Sequence, residues 1–471
     1  MRAIKQLTSI AESILSGLPD RFSDEDVSAE KLACLFMLQS LAGSSLPVFP
    51  ETLSQRLLDY TIHRAMRLSP WYAETYSRAN ISSNKPFNLQ DLEHLPVFTR
   101  ANLEQHGEQF RCKGMNFGYA SFTTGTSSGC PLIMDTSLEE HEYVNRFFSI
   151  IGQGAQETGV PKPIALNLTN AYHGHLIERP IPLQRVDVFA NSVIGLNNAK
   201  NLLLRTYAAG DHNRSISALG GSLIPLLRLT AFLQENGLRD QLPKIEFVQS
   251  TSEYITPKSY RTLSQFWNCP VEDRYGLSEI CIGAWRCHDC GYYHFEPYGI
   301  PEVIGLHNYD HITEGKGRLV LTGFAPFMQM TPMIRYLTGD GIEIISRPCI
   351  TGQRSFKLLG RLKNSLIRNE QLIGEYEIMD VLDEEPEVYR RKPYWFLPDY
   401  LQDVGAPPQF ILGWSQAGVP TVDIELKYDP ETFPGKAEAL KQRLQKAFAT
   451  NGLPAMQINL LKADEKITAT S

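Results

Sequence analysis

The sequence lacks several features that would fix its class at once. No apolar run in its 471 residues approaches the length of roughly 20 residues that a membrane span needs. Lys and Arg number 45 against 52 Asp and Glu, a net charge of −7, so there is no basic footprint for nucleic acid. The 8 cysteines are too scattered for a disulfide framework, and no secretory apolar segment opens the chain. These absences predict a cytoplasmic protein that binds neither membrane nor nucleic acid.

The length and the patterning predict two domains, because a single core stops growing at about 250–300 residues. Residues 1–110 show helical spacing of apolar side chains, as at Leu58, Ile62 and Ala65. From about residue 118 to 345, short apolar runs alternate with helix-like segments, which predicts an α/β fold. A smaller α+β unit follows from about residue 362.

Residues 121–131 are the most informative stretch, reading Ser-Phe-Thr-Thr-Gly-Thr-Ser-Ser-Gly-Cys-Pro. Small and hydroxyl side chains leave the backbone bare, so that N–H and O–H groups converge on anionic oxygens as in a phosphate-binding loop. The Gly-Lys-Ser/Thr ending of the P-loop is missing, and the composition alone is equally typical of an ordinary turn. The candidate phosphate-binding residues are Thr123, Thr124, Gly125, Thr126, Ser127, Ser128 and Gly129.

Three more motifs follow in order. Residues 273–279 read Asp-Arg-Tyr-Gly-Leu-Ser-Glu, residues 336–340 Tyr-Leu-Thr-Gly-Asp, and residues 359–364 Leu-Gly-Arg-Leu-Lys-Asn. Taken singly, Tyr275 would be a core aromatic, Asp340 a turn cap and Arg361 a surface ion pair. All four motifs in one order form a specific signal, because independent false matches multiply.

In these residues the chain resembles the adenylate-forming superfamily of acyl-CoA synthetases, adenylation domains and luciferases. Segments 68–72 and 95–103 are similar to the lead-in of its phenylacetate–CoA ligase branch, and the likeness covers roughly residues 65–382. It implies a large α/β domain of residues 1–361, with mixed sheets and helices, and a small mobile α+β domain of residues 362–471. The implied activity is ATP-dependent activation of a small carboxylic acid to an acyl-adenylate with release of pyrophosphate, followed by acyl transfer to a thiol such as CoA.

The resemblance also implies residue roles. Glu279 would ligate Mg²⁺, a cation that prefers oxygen ligands, and Arg361 would reach the ribose or phosphate. Lys363 would be the hinge between the domains. The other residues implied at the nucleotide are Glu253, Tyr275, Gly276, Ser278 and Asp340, and those implied at the acid are Tyr172, His173 and His175.

Two departures from the family pattern bear on the chemistry. Cys130 stands where the phosphate loop usually carries a cation, so Arg100 or Arg146 would have to supply the positive charge. The C-terminal catalytic lysine has two candidates, Lys462 and Lys466, of which we select Lys466; ordinary solvated tail residues are the alternative.

A Cys-x-x-Cys pair with a histidine four residues later suits tetrahedral zinc. The pair is Cys287 and Cys290, the histidine is His294, and Cys349 would complete the set. Some members of the branch carry cysteines in both places, and the resemblance implies a structural zinc. Free thiols beside a surface histidine are the alternative.

Two rival functions remain open at this point. The same adenylation step would serve an enzyme that hands the acyl group to an amine or a carrier protein instead of CoA. A degenerate relative would bind a nucleotide or zinc without catalysis and act as an interaction module. A homodimer is compatible with each of these interpretations.

Overall fold

The computed structural model describes residues 17, 19–41, 51–122, 132–157, 163–169, 184–209, 212–347, 349–350, 352–390 and 397–463. Its helices are α1 (Ala29–Leu41), α2 (Glu51–Leu68), α3 (Pro70–Arg78), α4 (Arg100–Phe110), α5 (Leu138–Glu157), α6 (Val193–Leu204), α7 (Leu223–Glu235), α8 (Pro257–Trp267), α9 (Glu375–Leu382), α10 (Asp399–Gln402) and α11 (Pro434–Thr450). Short 3-10 turns span Leu89–His94, Arg239–Gln241 and Leu362–Asn364.

The strands before residue 280 are β1 (Phe98–Thr99), β2 (Phe117–Phe122), β3 (Ile133–Ser137), β4 (Ile164–Thr169), β5 (Gln184–Phe189), β6 (Tyr207–Ala209), β7 (His212–Arg214), β8 (Ala218–Ser222), β9 (Phe247–Thr251) and β10 (Val271–Leu277). Those after it are β11 (Ile280–Arg286), β12 (Tyr293–Phe295), β13 (Gly299–Ile304), β14 (Gly315–Gly323), β15 (Tyr336–Ile345), β16 (Ser355–Arg361), β17 (Leu366–Arg368), β18 (Gln371–Ile373), β19 (Phe410–Trp414), β20 (Pro420–Leu426) and β21 (Gln457–Lys462).

A 12-stranded mixed sheet forms the centre of the larger part of the chain. Its order is β13-β14-β15-β16-β12-β11-β10-β9-β8-β4-β5, with β1 paired to β15. Strands β10, β9, β8, β4 and β5 run parallel, whereas the strands from β10 to β13 are joined by antiparallel pairs. The β10–β11 hairpin therefore lies where the parallel half meets the antiparallel half.

Two hydrophobic cores cover the sheet. One packs the N-terminal helices and α5 against β11 and β13 to β16, with Phe147 and Tyr298 among its aromatic residues. The other packs α6, α7 and α8 onto the parallel strands, as at Leu219 and Leu263. Helices therefore pack on the parallel half of the sheet, as expected of an α/β fold.

Residues 362–463 form a small unit with a core of its own. Strand pair β17–β18 and the sheet β19-β20-β21 pack with α9 and α11 around side chains such as Ile378, Ile424 and Leu444. Helix α9 also touches the larger part: Thr256 Oγ1 donates to the Asp383 carboxylate, and Lys258 Nζ donates to the Asp383 carbonyl at 2.7 Å. This contact is polar, which is typical of surfaces between domains that move.

The architecture confirms the predicted α/β fold class, with helices and mixed sheets in the larger part of the chain and an α+β arrangement at the end. Local signals explain several element ends. Thr256 caps α8 by accepting from the Ser259 N–H, Pro257 opens that helix, and Asn268 ends it in the left-handed conformation at φ 51°. Among the described residues, no helix combines the length and the apolarity that crossing a membrane requires.

Candidate active site

Two cavities meet at the turn between β10 and β11. The tyrosine cavity, with about 470 Å³ of free space, is lined on one side by Tyr275, Gly276 and Leu277. The helix cavity, with about 850 Å³, is lined on the other side by Leu277, Ser278 and Glu279. The motif of residues 273–279 therefore separates two compartments and contributes side chains to both.

The tyrosine cavity brings three of the four motifs together. Asp340 and Arg361 line it beside Tyr275, and Glu253 faces it from the segment after β9. Glu253 also serves the fold, because its Oε2 accepts the Leu223 N–H at the start of α7 at 2.8 Å.

Asp340 is held by two neighbours in this cavity. The Tyr275 hydroxyl donates to Oδ2 at 2.6 Å, and Arg361 Nε lies 3.2 Å from Oδ1. Burial raises the pKa of the Asp340 carboxyl, while Arg361 and the Tyr275 hydroxyl act in the opposite direction. Gly339 precedes Asp340 at φ 80°, a left-handed conformation that costs glycine little, and it lets the strand turn the carboxylate into the cavity. Each carboxylate oxygen keeps lone pairs for further donors.

Two tyrosines close the tyrosine cavity, and sequence reasoning missed both. Tyr254 and Tyr376 stack with ring centroids 3.9 Å apart and planes 9° apart. Tyr376 belongs to α9 of the small unit, so that unit covers the cavity. The Tyr254 hydroxyl also donates to Asp380 at 3.0 Å, which adds a second contact across the same boundary.

Glu279 lies between a hydroxyl and a guanidinium. The Tyr336 hydroxyl is 3.4 Å from Glu279 Oε1, and Arg100 Nη1 is 3.8 Å from the same oxygen. Arg100 is brought there because β1 pairs in parallel with β15, so that the end of β1 lies beside the motif of residues 336–340. The other candidate cation, Arg146, pairs with Glu30 at 2.8 Å on the surface.

The helix cavity contains polar groups that the sequence interpretation did not single out. Helix α5 contributes Glu140, His141 and Asn145 to its wall, together with Val144 and Phe148. Glu140 Oε2 accepts the Gln329 and Met330 N–H groups at 2.7 and 3.0 Å. Burial raises the pKa of the Glu140 carboxyl to about 7 against the pull of those two donors.

The four predicted metal ligands lie together. The ligand atoms of Cys287, Cys290, His294 and Cys349 are all within 4.8 Å of one another. Cys287 Sγ is 3.9 Å from Cys349 Sγ, and Cys290 Sγ is 3.4 Å from His294 Nε2. Zn–S bonds of about 2.3 Å in a tetrahedron place sulfurs about 3.8 Å apart, so the cluster has the size that zinc requires.

The surroundings of the cluster favour a metal as well. His294 Nδ1 donates to the Arg354 carbonyl at 2.9 Å, which turns Nε2 toward the cysteines. Metal-binding histidines are usually oriented by such a bond. Cys287 and Cys290 lie in the β11–β12 turn and Cys349 lies in the β15–β16 connection, so the cluster joins segments distant in sequence.

Several predicted residues lie outside the described part of the chain. They are the phosphate-loop residues 123–129, the acid-pocket candidates Tyr172, His173 and His175, and the catalytic candidate Lys466. The described candidates Lys462 and Lys363 are both exposed, at the end of β21 and in the turn after β16 respectively.

No family model and no curated protein matches this chain. Solved structures match over most of its length. A 2-hydroxyisobutyryl-CoA ligase in the postadenylation state, in complex with R3-HIB-AMP, has a TM-score of 0.62 at 13% identity over 88% of this chain and 86% of that one. An open conformation of that ligase with 2-HIB-AMP and CoA has a TM-score of 0.61 at 13% identity, over 88% of each chain.

A third structure, the same ligase with 2-HIB-AMP and CoA in the thioesterification state, has a TM-score of 0.52 at 13% identity, over 89% of this chain and 88% of that one. At such low identity the likeness speaks for the fold alone. The chain therefore has the fold of the adenylate-forming superfamily.

Proposed function

We propose that this protein is an ATP-dependent carboxylate ligase that forms an acyl-adenylate. The observation that carries the proposal is the meeting of two cavities at Leu277, which lines both and is followed by Ser278 and Glu279 in the wall of the helix cavity. Adenylation joins a carboxylate to the α-phosphate of ATP, so it needs a nucleotide compartment and an acid compartment with one junction. A likeness in fold to a ligase whose structures hold an acyl-AMP supports the same interpretation.

The nucleotide belongs in the tyrosine cavity. Asp340, with lone pairs left on both oxygens, accepts hydrogen bonds from the two ribose hydroxyls, and Tyr275 flanks the adenine. Arg361, already 3.2 Å from Asp340, adds positive charge beside the ribose and the α-phosphate. Residues 123–129 hold the β- and γ-phosphates, a role that rests on their composition.

The acid belongs in the helix cavity, with its carboxylate toward the junction. One carboxylate oxygen attacks the α-phosphorus, the bond to the bridging oxygen of the β-phosphate breaks, and pyrophosphate leaves. Glu279 would hold a Mg²⁺, which would supply positive charge to neutralise the phosphates. Arg100, 3.8 Å from Glu279, takes the place of the cation that Cys130 cannot supply.

The second half-reaction transfers the acyl group. The acceptor nucleophile attacks the acyl carbonyl, the carbon–oxygen bond to AMP breaks, and the acceptor proton passes to solvent. A thiol such as CoA is the acceptor we favour, with an amine or a carrier protein as the rival. The small unit of residues 362–463 covers the tyrosine cavity through Tyr376, so it must move before an acceptor enters. Lys363 is the proposed hinge of this movement, and Lys466 is the proposed catalytic lysine.

A structural zinc completes the proposal. Cys287, Cys290, His294 and Cys349 would hold it as thiolates and a neutral imidazole. Its role would be mechanical, since it would tie the β11–β12 turn to the β15–β16 connection. Glu279 directly precedes β11 and Asp340 lies on β15, so the metal would join the connections that follow these two strands.

Pyrophosphate exchange tests the proposed function. Purified protein with ATP and Mg²⁺ is incubated with labelled pyrophosphate and a panel of aliphatic, aromatic, hydroxy and amino acids. We expect label to enter ATP only when a suitable acid is present. If no acid of the panel supports exchange, in protein shown to bind ATP, the non-catalytic alternative is favoured. Offering CoA or hydroxylamine to the acyl-adenylate then separates thiol from amine transfer.

A further inference from the structure

One face of helix α5 forms a wall of the helix cavity. His141, Val144, Asn145 and Phe148 line it at intervals of three, one and three residues, the spacing that places side chains on one face of a helix. Val144 and Phe148 are apolar, whereas His141 and Asn145 are polar. A cavity made only for an apolar acid would not need the polar pair.

The polar pair has hydrogen-bonding capacity left over. Asn145 Nδ2 lies 2.9 Å from His141 Nε2, so the amide donates and the ring nitrogen accepts. The Asn145 carbonyl oxygen then accepts no hydrogen bond within the described part of the chain. An unpaired acceptor beside a cavity suits a ligand that donates.

Glu140 adds a stronger acceptor to the same wall. It is 9% exposed, and its backbone N–H donates to Ser137 Oγ at 3.0 Å. Its Oε2 is occupied by the Gln329 and Met330 N–H groups at 2.7 and 3.0 Å. Oε1 accepts from none of the described residues, which leaves it for a molecule in the cavity.

The acidic residues that line the helix cavity also favour a ligand that donates hydrogen bonds. Asp135, Glu140 and Glu279 line it, and its described lining includes neither Lys nor Arg. Arg111 pairs with Asp135 at 2.5 Å, and Arg64 acts on the Glu140 carboxyl, but neither arginine lines the cavity. A second carboxylate on the acid would be repelled, and a wholly apolar tail would leave the Glu140 oxygen in the cavity wall without a partner.

We infer that the substrate is a monocarboxylic acid whose tail carries a hydrogen-bond donor, a hydroxyl or an ammonium group, which Glu140 Oε1 and Asn145 Oδ1 receive. The inference rests on the proposed function, because it assigns the acid to the helix cavity. Glu140 is then a specificity-determining residue, and its two bonds to the 329–330 backbone hold the acceptor in position.

The substitution Glu140→Gln separates the two roles of this side chain. The amide oxygen still accepts from Gln329 and Met330, while an NH2 group replaces the acceptor that faces the cavity. A glutamine therefore keeps the anchor and reverses the preference from donors to acceptors. Glu142→Gln is the matched control, since Glu142 lies on the same helix and is exposed. Asn145→Ala is a second variant that leaves the anchor untouched.

The experiment measures pyrophosphate exchange with two matched series: hexanoate with its ω-hydroxy and ω-amino forms, and phenylacetate with its para-hydroxy and para-aminomethyl forms. In the wild type we expect a donor-bearing acid to exceed its parent in kcat/KM by at least about tenfold, on the scale of one hydrogen bond to a charged group. Glu140→Gln should erase that preference, Asn145→Ala should reduce it, and Glu142→Gln should preserve it. The hydroxy and amino arms show which donor is used.

The outcomes test the donor-bearing substrate separately from the proposed adenylation activity. Exchange with none of the acids would overturn the proposed function and the inference together. Exchange with the parent acids that gains nothing from a donor, or a donor preference that survives in folded Glu140→Gln and Asn145→Ala protein, would overturn the inference alone and leave the ligase intact.

Discussion

At the scale of single residues, the proposed adenylation step depends most on Glu279. Its carboxylate lines the helix cavity two residues after Leu277, which lines both cavities, and the Tyr336 hydroxyl and Arg100 lie beside it. Removing the charge while keeping the shape should therefore remove a metal ligand without disturbing the packing.

Glu279→Gln should lower the rate of pyrophosphate exchange by at least about 10²-fold, the scale seen when one preorganised electrostatic group is lost. Glu104→Gln is a suitable control, because Glu104 also pairs with Arg100, at 2.7 Å, but lies outside both cavities. Near-native exchange in the Glu279 variant would exclude the assigned role.

Asp273 gives a pH dependence of stability. Burial raises the pKa of its carboxyl from 3.8 to about 7, although the Tyr293 hydroxyl donates to it. The unfolded chain releases this proton near pH 4 and the folded chain only near pH 7, so the group lowers the free energy of unfolding as pH rises through that window. Above pH 7 its contribution is constant.

Asp273→Asn should remove that slope. Urea unfolding is measured without nucleotide from pH 4 to 7. As the pH rises, the free energy of unfolding of the variant should increase relative to that of the wild type by on the order of a few kcal/mol, because one pKa unit corresponds to about 1.4 kcal/mol. Asp240→Asn, at an exposed aspartate, serves as the control. Parallel curves for wild type and Asp273→Asn would show that Asp273 is not held neutral by burial.

At the scale of elements, local signals predicted much of the small unit. The part of the chain after residue 362 has the α+β arrangement that its sequence predicted, with α9 and α11 packed against the sheet β19-β20-β21. Strand ends are harder to predict: the run Ile-Glu-Phe-Val at residues 245–248 does not reveal that pairing of β9 with β8 starts only at Phe247. Local chemistry fixes helices better than it fixes strand ends.

The site was predictable only where its residues lie in motifs. Tyr275, Asp340 and Arg361 come together as expected, but the polar face of α5 was missed. Polar residues at positions 141 and 145 are also typical of a solvated helix face, and only the packing shows a cavity there. The choice of Arg100 over Arg146 likewise depends on the pairing of β1 with β15, a contact between segments more than 200 residues apart.

The four candidate zinc ligands join two structural elements, the β11–β12 turn and the β15–β16 connection. We expect about one zinc per chain in protein purified without added metal. Cys349→Ser should lower both zinc content and the thermal midpoint, the latter by at least about 2 °C. Cys34→Ser, an exposed cysteine away from the cluster, should change neither. A zinc-free protein with all four ligands freely reactive would contradict the assignment.

At the scale of the whole molecule, the two half-reactions require different groups over one junction. The small unit now touches the larger part through the Tyr254–Tyr376 stack and the bonds from Thr256 and Lys258 to Asp383. In the proposed function the small unit covers the nucleotide during adenylation, and these contacts would have to be released before an acceptor enters. The 3-10 turn Leu362–Asn364 is the segment in which a rotation would take place.

Lys363→Pro should retain acyl-adenylate formation and lose most acyl transfer. Proline fixes φ near −65° and removes an N–H, which traps one orientation of the small unit. Lys363→Ala, which keeps the backbone free to turn, should support both steps. The two half-reactions are measured separately, by pyrophosphate exchange and by acyl transfer; equal losses in both would place the hinge elsewhere.

The central claim is that a carboxylate oxygen attacks the α-phosphate of ATP, and isotope transfer tests it most directly. An acid that supports exchange is labelled with oxygen-18 in its carboxylate and turned over with ATP and the acceptor, and the AMP is analysed by mass spectrometry. The account predicts one labelled oxygen in each AMP, because the attacking oxygen stays on phosphorus when the acyl group leaves. Unlabelled AMP, or ADP in its place, would contradict it.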